Sequence, residues 1–341
     1  MSRIYIPQNY KISTWEGLQP FFEELNTREI NDKESFVSWL KDLSELESIV
    51  SEDLAWRYIK MTCDTSDKEL EASYISFVND IQPNIAPYDD VINKKIAASP
   101  YTTELEKDQA YFIYMRGVRN AIELFREENI PLQTEIQTLS QQYGSITGAM
   151  SVEIDGRELT LQQASNILKE TNRERRQMAY EVIAKRRLQD KDSLDELFDK
   201  LIALRHQVAV NAGFDNFRDY MHQAMGRFDY SIQDCLDFHE AIKKIVVPLN
   251  KALQEKRKNL LGVETLKPYD LAVDPEGKQP LKPFEDGKEL LEKSIACFNG
   301  LDKSFGENLT LMGSMKFLDL DSRIGKAPGG YNYPLAETGV P

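Results

Sequence analysis

Met150-Ser-Val-Glu-Ile-Asp-Gly-Arg-Glu-Leu-Thr-Leu-Gln-Gln163 is the stretch that decides the fold. Met150, Val152 and Ile154 alternate with polar residues, Asp155-Gly156 supplies a two-residue turn, and Leu159 resumes the pattern, which predicts a short β-hairpin. Directly behind it, Thr160 and Gln163 stand at capping-box spacing, where each side chain satisfies the other residue's orphan backbone amide and a helix begins. The hairpin is the exception in this chain, and the helix start is the rule.

Similar starts stand at Ser13 to Glu16, Ser66 to Glu69, Thr103 to Glu106 and Thr171 to Glu174. Apolar residues behind such starts fall at three- and four-residue steps, as in Leu194, Leu197, Phe198, Leu201, Ile202 and again in Ile232, Cys235, Leu236, Ile242, Ile245, Leu249, Leu253. This spacing predicts helices with stripes facing a shared core. Pro248 lies within the second stripe and predicts a kink or break, because proline lacks the amide donor and clashes with the preceding turn. Residues 262–287, with Pro268, Pro275, Pro280 and Pro283, predict a long ordered loop. Phe317, Leu318 and Leu320 suggest a strand, and no fixed internal repeat emerges. The expected fold is mainly α, with many helices, a small β-hairpin and a short β segment near the C-terminus. The expected division is 1–190, an N-terminal helical region including the hairpin near 148–160, and 191–341.

The chain has 341 residues and is 41% apolar, enough for a sizeable core and for more than one domain. Its three cysteines, Cys63, Cys235 and Cys297, are odd in number and widely spaced, which excludes a disulfide framework and fits a reducing cytoplasm. The opening residues lack an apolar signal region, and no uninterrupted apolar run approaches the roughly 20 residues of a membrane span, so no membrane partner is expected. With 42 basic against 56 acidic residues the net charge is −14, and the cations are scattered. Such a surface repels phosphate backbones, so no nucleic-acid partner is expected.

Candidate chemistry is sparse. His206, His222 and His239 are separated by 16 and 17 residues, so no pair can form HExxH, whose histidines stand four apart to reach one zinc ion from one helix face. Cys235 and His239 do stand four apart, but both fall on or beside the apolar stripe, where core packing is the stronger reading and two further ligands are not evident. Gly325-Lys326 lacks the glycine and the Ser/Thr of a phosphate loop, since Leu320 and Ala327 occupy those places. Acidic residues such as Asp195, Glu196 and Asp199 read as a solvated helix face. No catalytic residue and no metal ligand is assigned. The run Ala327-Pro-Gly-Gly-Tyr331 either forms a turn between strands or lets another backbone approach a groove lined by Tyr331 and Tyr333.

Several stretches, in order and spacing, are similar to oligoendopeptidase F and the thimet-oligopeptidase-like zinc metallopeptidases. They are Gly148-Ala-Met-Ser-Val-Glu-Ile-Asp-Gly-Arg157, Asn172-Arg-Glu-Arg-Arg176, Arg205-His-Gln-Val-Ala209, Ala212-Gly-Phe-Asp-Asn-Phe-Arg-Asp-Tyr220, Val247-Pro248, Leu266-Lys-Pro-Tyr-Asp270 and Lys326-Ala-Pro-Gly-Gly-Tyr331. The resemblance runs from about residue 50 and is most specific from about residue 145. It implies a helical peptidase fold around a channel that admits short peptides, and a zinc ion for the intact protein, held by two His and one Glu that this chain does not contain. In that family the strand matching Lys326 to Tyr331 precedes HExxH. The chain is therefore expected to be a front portion truncated before that motif, with 191–341 the first part of the catalytic domain, no zinc of its own and no activity alone. Gly329, Gly330 and Tyr331 are the one carried-over site expectation, beside the substrate cleft. The alternative is a non-catalytic helical scaffold derived from the same fold. Nothing in the sequence speaks to oligomeric state.

Overall fold

The computed structural model describes residues 3–340. Helix α1 (Trp15–Thr27) is followed by α2 (Lys33–Cys63), whose Phe36, Trp39, Leu43, Leu46 and Ile49 are all buried at helical spacing. α3 (Lys68–Ser76) continues through a π turn, Phe77–Ile81, into α4 (Gln82–Ala98), then α5 (Thr102–Leu105) and α6 (Gln109–Leu124). Residues from α1, α2, the π turn, α4 and α6 form the largest apolar core. Trp39 sits at its centre, fully buried, with its indole N–H donating to Leu25 O at 2.9 Å. Lys95 Nζ donates to the carbonyls of Leu25, Asn26 and Arg28, placing a cation on the last carbonyls at the C-terminal end of α1.

α7 (Asn129–Gly148) leads into the expected hairpin, β1 (Ser151–Ile154) and β2 (Arg157–Thr160), antiparallel with Ile154 opposite Arg157. Asp155 and Gly156 both take positive φ, 55° and 68°, as a two-residue hairpin turn requires. Thr160 then caps α8 (Leu161–Ser165) in a reciprocal box with Gln163, and α9 (Arg173–Gln189) covers the hairpin's apolar face. α10 (Lys191–Asn211) packs along α7, and α11 (Phe217–Ala224) closes a further small core through Tyr220. The chain ends in α12 (Ile232–Ala241), a second π turn Ile242–Val246, α13 (Val247–Leu261), the loop of 262–286 with a 3-10 turn at Pro268–Asp270, and the paired helices α14 (Gly287–Leu301) and α15 (Lys303–Ser314).

The fold class is as expected, and several details differ. Three helix starts lie one residue later than the spacing predicts, on Thr14, Asp67 and Asn172, whose side chains accept the first-turn amides, and the turn near Thr103 has no side-chain cap. Pro248 marks an interruption of the α-helix, standing at the start of α13 directly behind the π turn. The π turn ahead of it moves the Val247 amide onto Ile242 O, a wider ring that accommodates a residue without a donor. The same device precedes Pro83, where Gln82 N reaches Phe77 O. The stripe from Ile232 to Leu253 does not face a core. No residue of α12, the π turn or α13 is buried, and Ile245, Leu249 and Leu253 are 70%, 60% and 57% exposed. The stripe from Leu194 is only half used, with Leu197 and Leu201 buried and Phe198 and Ile202 exposed. Residues 317–323 form no regular element and pair with no strand among the described residues, and the β contact near the C-terminus is an isolated bridge, Leu335 to Val340.

Candidate functional site

The segment 316–335 is laid across the C-terminal end of α2 by specific bonds. Ala327 N donates to Thr62 O (2.9 Å), Thr65 donates through both N and Oγ1 to Gly325 O (2.7 Å each), Gly325 N donates to Gly148 O (3.2 Å), and Arg323 Nη2 donates to Cys63 O (2.7 Å). Gly148 is glycine because of this junction. A Cβ there would stand 2.9 Å from Thr65 Oγ1 and 3.4 Å from Lys326 O. The end of α7, the end of α2 and the 325–327 backbone thus meet at one point.

Beyond that point the backbone opens. Gly329 has φ +106°, and a Cβ on Gly329 or Gly330 would meet nothing within 4 Å. Residues 328–334 make no backbone–backbone hydrogen bond among the described residues. Tyr331 turns back toward α2, where its hydroxyl lies within hydrogen-bond reach of Thr62 Oγ1. Thr62 Oγ1 already donates to the carbonyl of Tyr58 (3.0 Å), so the Tyr331 O–H is the donor of the pair. The rings of Tyr58, Tyr331 and Tyr333 pack together at 5.5 to 6.5 Å between centroids, and burial among them raises the Tyr331 phenol above its ordinary value. The result is a segment of irregular backbone, bent at Pro328 and Gly329 and fixed by side chains on one side, whose main-chain groups make no backbone pairing among the described residues.

A cavity of about 440 Å³ lies between this segment and α2. Trp56 and Tyr58 form one wall, Phe317, Tyr331 and Tyr333 another, and Trp56 meets Phe317 edge to face at 4.9 Å. Asp319 at its floor accepts from both terminal nitrogens of Arg323 (2.7 Å each) and from Lys326 Nζ (3.0 Å). The Arg323 hydrogen bonds hold the Asp319 carboxyl far below its ordinary range. Burial, seconded by this carboxylate, raises the neighbouring Cys63 thiol, so Cys63 stays protonated near neutrality.

Gly329, Gly330 and Tyr331 therefore lie together at the rim of one groove, while the histidines lie elsewhere. His206 and His239 are exposed on their helices, and Cys235 is only half-buried, so neither Cys235 nor His239 is the core member expected. His222 stacks edge-on against Tyr230 at 5.5 Å, and its buried Nε2 has no hydrogen-bond partner among the described residues. Among the described residues no group of three or more His, Cys, Asp and Glu side chains is placed to hold a metal ion. The residues present do not fit a catalytic zinc ion. Sequence reading missed Trp56, Tyr58 and Thr62. Their signal was an aromatic and hydroxyl pair, Tyr58 and Thr62 at i and i+4, near the C-terminal end of α2.

The chain matches two family models, the Peptidase M3 N-terminal domain over residues 7–125 and Peptidase family M3 over residues 166–338. No curated protein matches the sequence. Among solved structures, one described as an oligoendopeptidase F superposes with a TM-score of 0.87 at 23% identity, covering 94% of this chain and 57% of that one. PZ peptidase A with an inhibitor gives 0.88 at 24%, covering 95% and 57%. Another described as an oligoendopeptidase F, from Bacillus anthracis strain Ames, gives 0.88 at 22%, covering 97% and 61%. These likenesses show the shared fold, and the chain spans about three fifths of the length of these relatives. With one family model covering half of its length, the chain belongs to peptidase family M3.

Proposed function

We propose that this chain is the front portion of a zinc-dependent oligopeptidase of the cytoplasm, in which 1–190 is an N-terminal helical region and 191–341 begins the catalytic domain. It supplies part of the cleft that holds short peptides and is inactive alone. The observation that carries this reading is the main chain of 328–334, which pairs with no other backbone among the described residues, beside the open positions of Gly329 and Gly330. An extended peptide can pair with such an edge through main-chain hydrogen bonds independent of its side chains, which suits an enzyme acting on varied short peptides. The open glycines let a second backbone approach closely.

Zinc and the water it activates belong, in this reading, to residues this chain does not supply, so its own residues hold the peptide and carry out no step of hydrolysis. The exposed apolar faces of α12 to α15 support the same reading. Phe238, Ile245, Leu249, Leu253, Leu301 and Phe305 are each more than half exposed. Apolar surface on this scale marks a face that another part of an assembly covers. The test is to read the coding DNA past codon 341 in frame. HExxH shortly downstream, with a later Glu as third ligand, is the expected result. An immediate stop codon would remove the enzyme reading and leave the non-catalytic scaffold.

A further inference from the structure

The groove beside 328–334 has a chemistry more specific than main-chain pairing. Its volume of about 440 Å³ falls in the range of pockets that enclose small organic groups. The rings of Trp56, Tyr58, Phe317, Tyr331 and Tyr333 line it from two sides. Trp56 and Phe317 already stand edge to face, an arrangement that a further ring can extend.

The charged residues of the lining are Lys60, Lys316, Lys326 and Asp319, three cations against one anion in a chain of net charge −14. Lys326 is occupied, since its Nζ donates to Asp319 Oδ1 and to the carbonyls of Asp319 and Asp321. Asp319 is in turn satisfied by Arg323 and Lys326. Lys60 and Lys316 are exposed, and no hydrogen bond or salt bridge engages either ammonium among the described residues. Two uncommitted cations at the rim of an aromatic pocket select for an anion beside an aromatic ring.

We propose that this groove is a subsite for an aromatic side chain with a carboxylate close to it in an extended peptide. It rests on the reading of 328–334 as the peptide edge, and it names the substrate class that the edge favours. The carboxylate is the peptide's own C-terminus or an adjacent Asp or Glu.

The test is a fluorescence-anisotropy titration of the 341-residue chain with peptides dye-labelled at the N-terminus. The probes are Ala-Gly-Ala-Phe-Glu-amide, Ala-Gly-Ala-Phe with a free C-terminus, and the controls Ala-Gly-Ala-Ala-Glu-amide and Ala-Gly-Ala-Phe-Lys-amide. At least one carboxylated Phe peptide is expected to bind roughly tenfold more tightly than either control, and the stronger of the two identifies the source of the carboxylate. Lys60→Glu together with Lys316→Glu, both at exposed positions, should erase the preference for Glu over Lys. Trp56→Ala should erase the preference for Phe over Ala while the Ala control still binds. Equal binding of all four peptides would overturn the subsite and leave the peptide edge standing. Binding of none would remove both. Concentration-dependent self-association that shields Trp56 from acrylamide quenching would assign the groove to a second copy, and that too would overturn the proposal.

Discussion

Arg176 donates through Nη2 to Asp270 Oδ1 at 3.0 Å with both side chains withdrawn from solvent, 2% and 0% exposed. Arg173 adds bonds to both carboxylate oxygens, and Arg176 Nε also holds the carbonyl of Tyr269. This cluster pins the loop after α13 to α9. Burial pushes the Asp270 carboxyl up, but the Arg173 hydrogen bond, the Lys267 amide and Arg176 outweigh it and hold the group at about 2. Replacing Asp270 by Asn leaves a buried, uncompensated guanidinium, and about 3 kcal/mol of stability should be lost in a denaturant titration.

The same carboxyl gives a pH dependence with a definite sign. Its folded value lies below the unfolded one, so the unfolded chain takes up the proton first as pH falls. The stabilisation is complete above about pH 4 and is lost between about pH 4 and 2, amounting to roughly 2 kcal/mol. Denaturant midpoints across that window should fall more steeply for the native chain than for Asp270→Asn.

Gly148→Ala places a methyl group against Thr65 Oγ1 and Lys326 O. The expected cost is about 1–3 kcal/mol, the usual range for overpacking. Adding Thr65→Ala removes the nearer clash, so the double variant should be more stable than the sum of the two single losses predicts. Additive losses would place the strain elsewhere.

Tyr331→Phe keeps the ring packing on Tyr58 and Tyr333 but removes the O–H that Thr62 Oγ1 accepts. Global stability should drop by about 1 kcal/mol. Amides of 329–333 should exchange faster with solvent than in the native chain, because this bond is what holds the open segment against α2.

Ile245→Lys and Leu249→Lys should leave stability within about 0.5 kcal/mol of the native chain, since neither side chain is buried. Binding of a hydrophobic-surface dye should fall in both. A loss of several kcal/mol would mean that α13 is packed in solution.

Much of this fold is legible in the sequence alone. Asp155-Gly156 between alternating apolar residues fixes a hairpin locally, and the reciprocal pair of Thr160 and Gln163 is a contact within one turn, so both expectations match the structure. The π turns before Pro83 and Pro248 are not legible, because proline announces a missing bond but not which wider ring absorbs it. The stripe of α12 and α13 has the periodicity of a core helix, and periodicity cannot say whether the covering partner lies in the same stretch of chain. In the proposed site, Gly329, Gly330 and Tyr331 stand out by composition. Thr62 does not, since its role depends on Tyr331 arriving from 269 residues away.

The most direct test of the central claim is a hydrolysis assay of the purified chain on a quenched fluorescent short peptide, with and without added zinc. A front portion that offers a peptide edge but no metal ligands should cleave no faster than buffer in either condition. Zinc-dependent cleavage by the chain alone, abolished by a chelator, would contradict it.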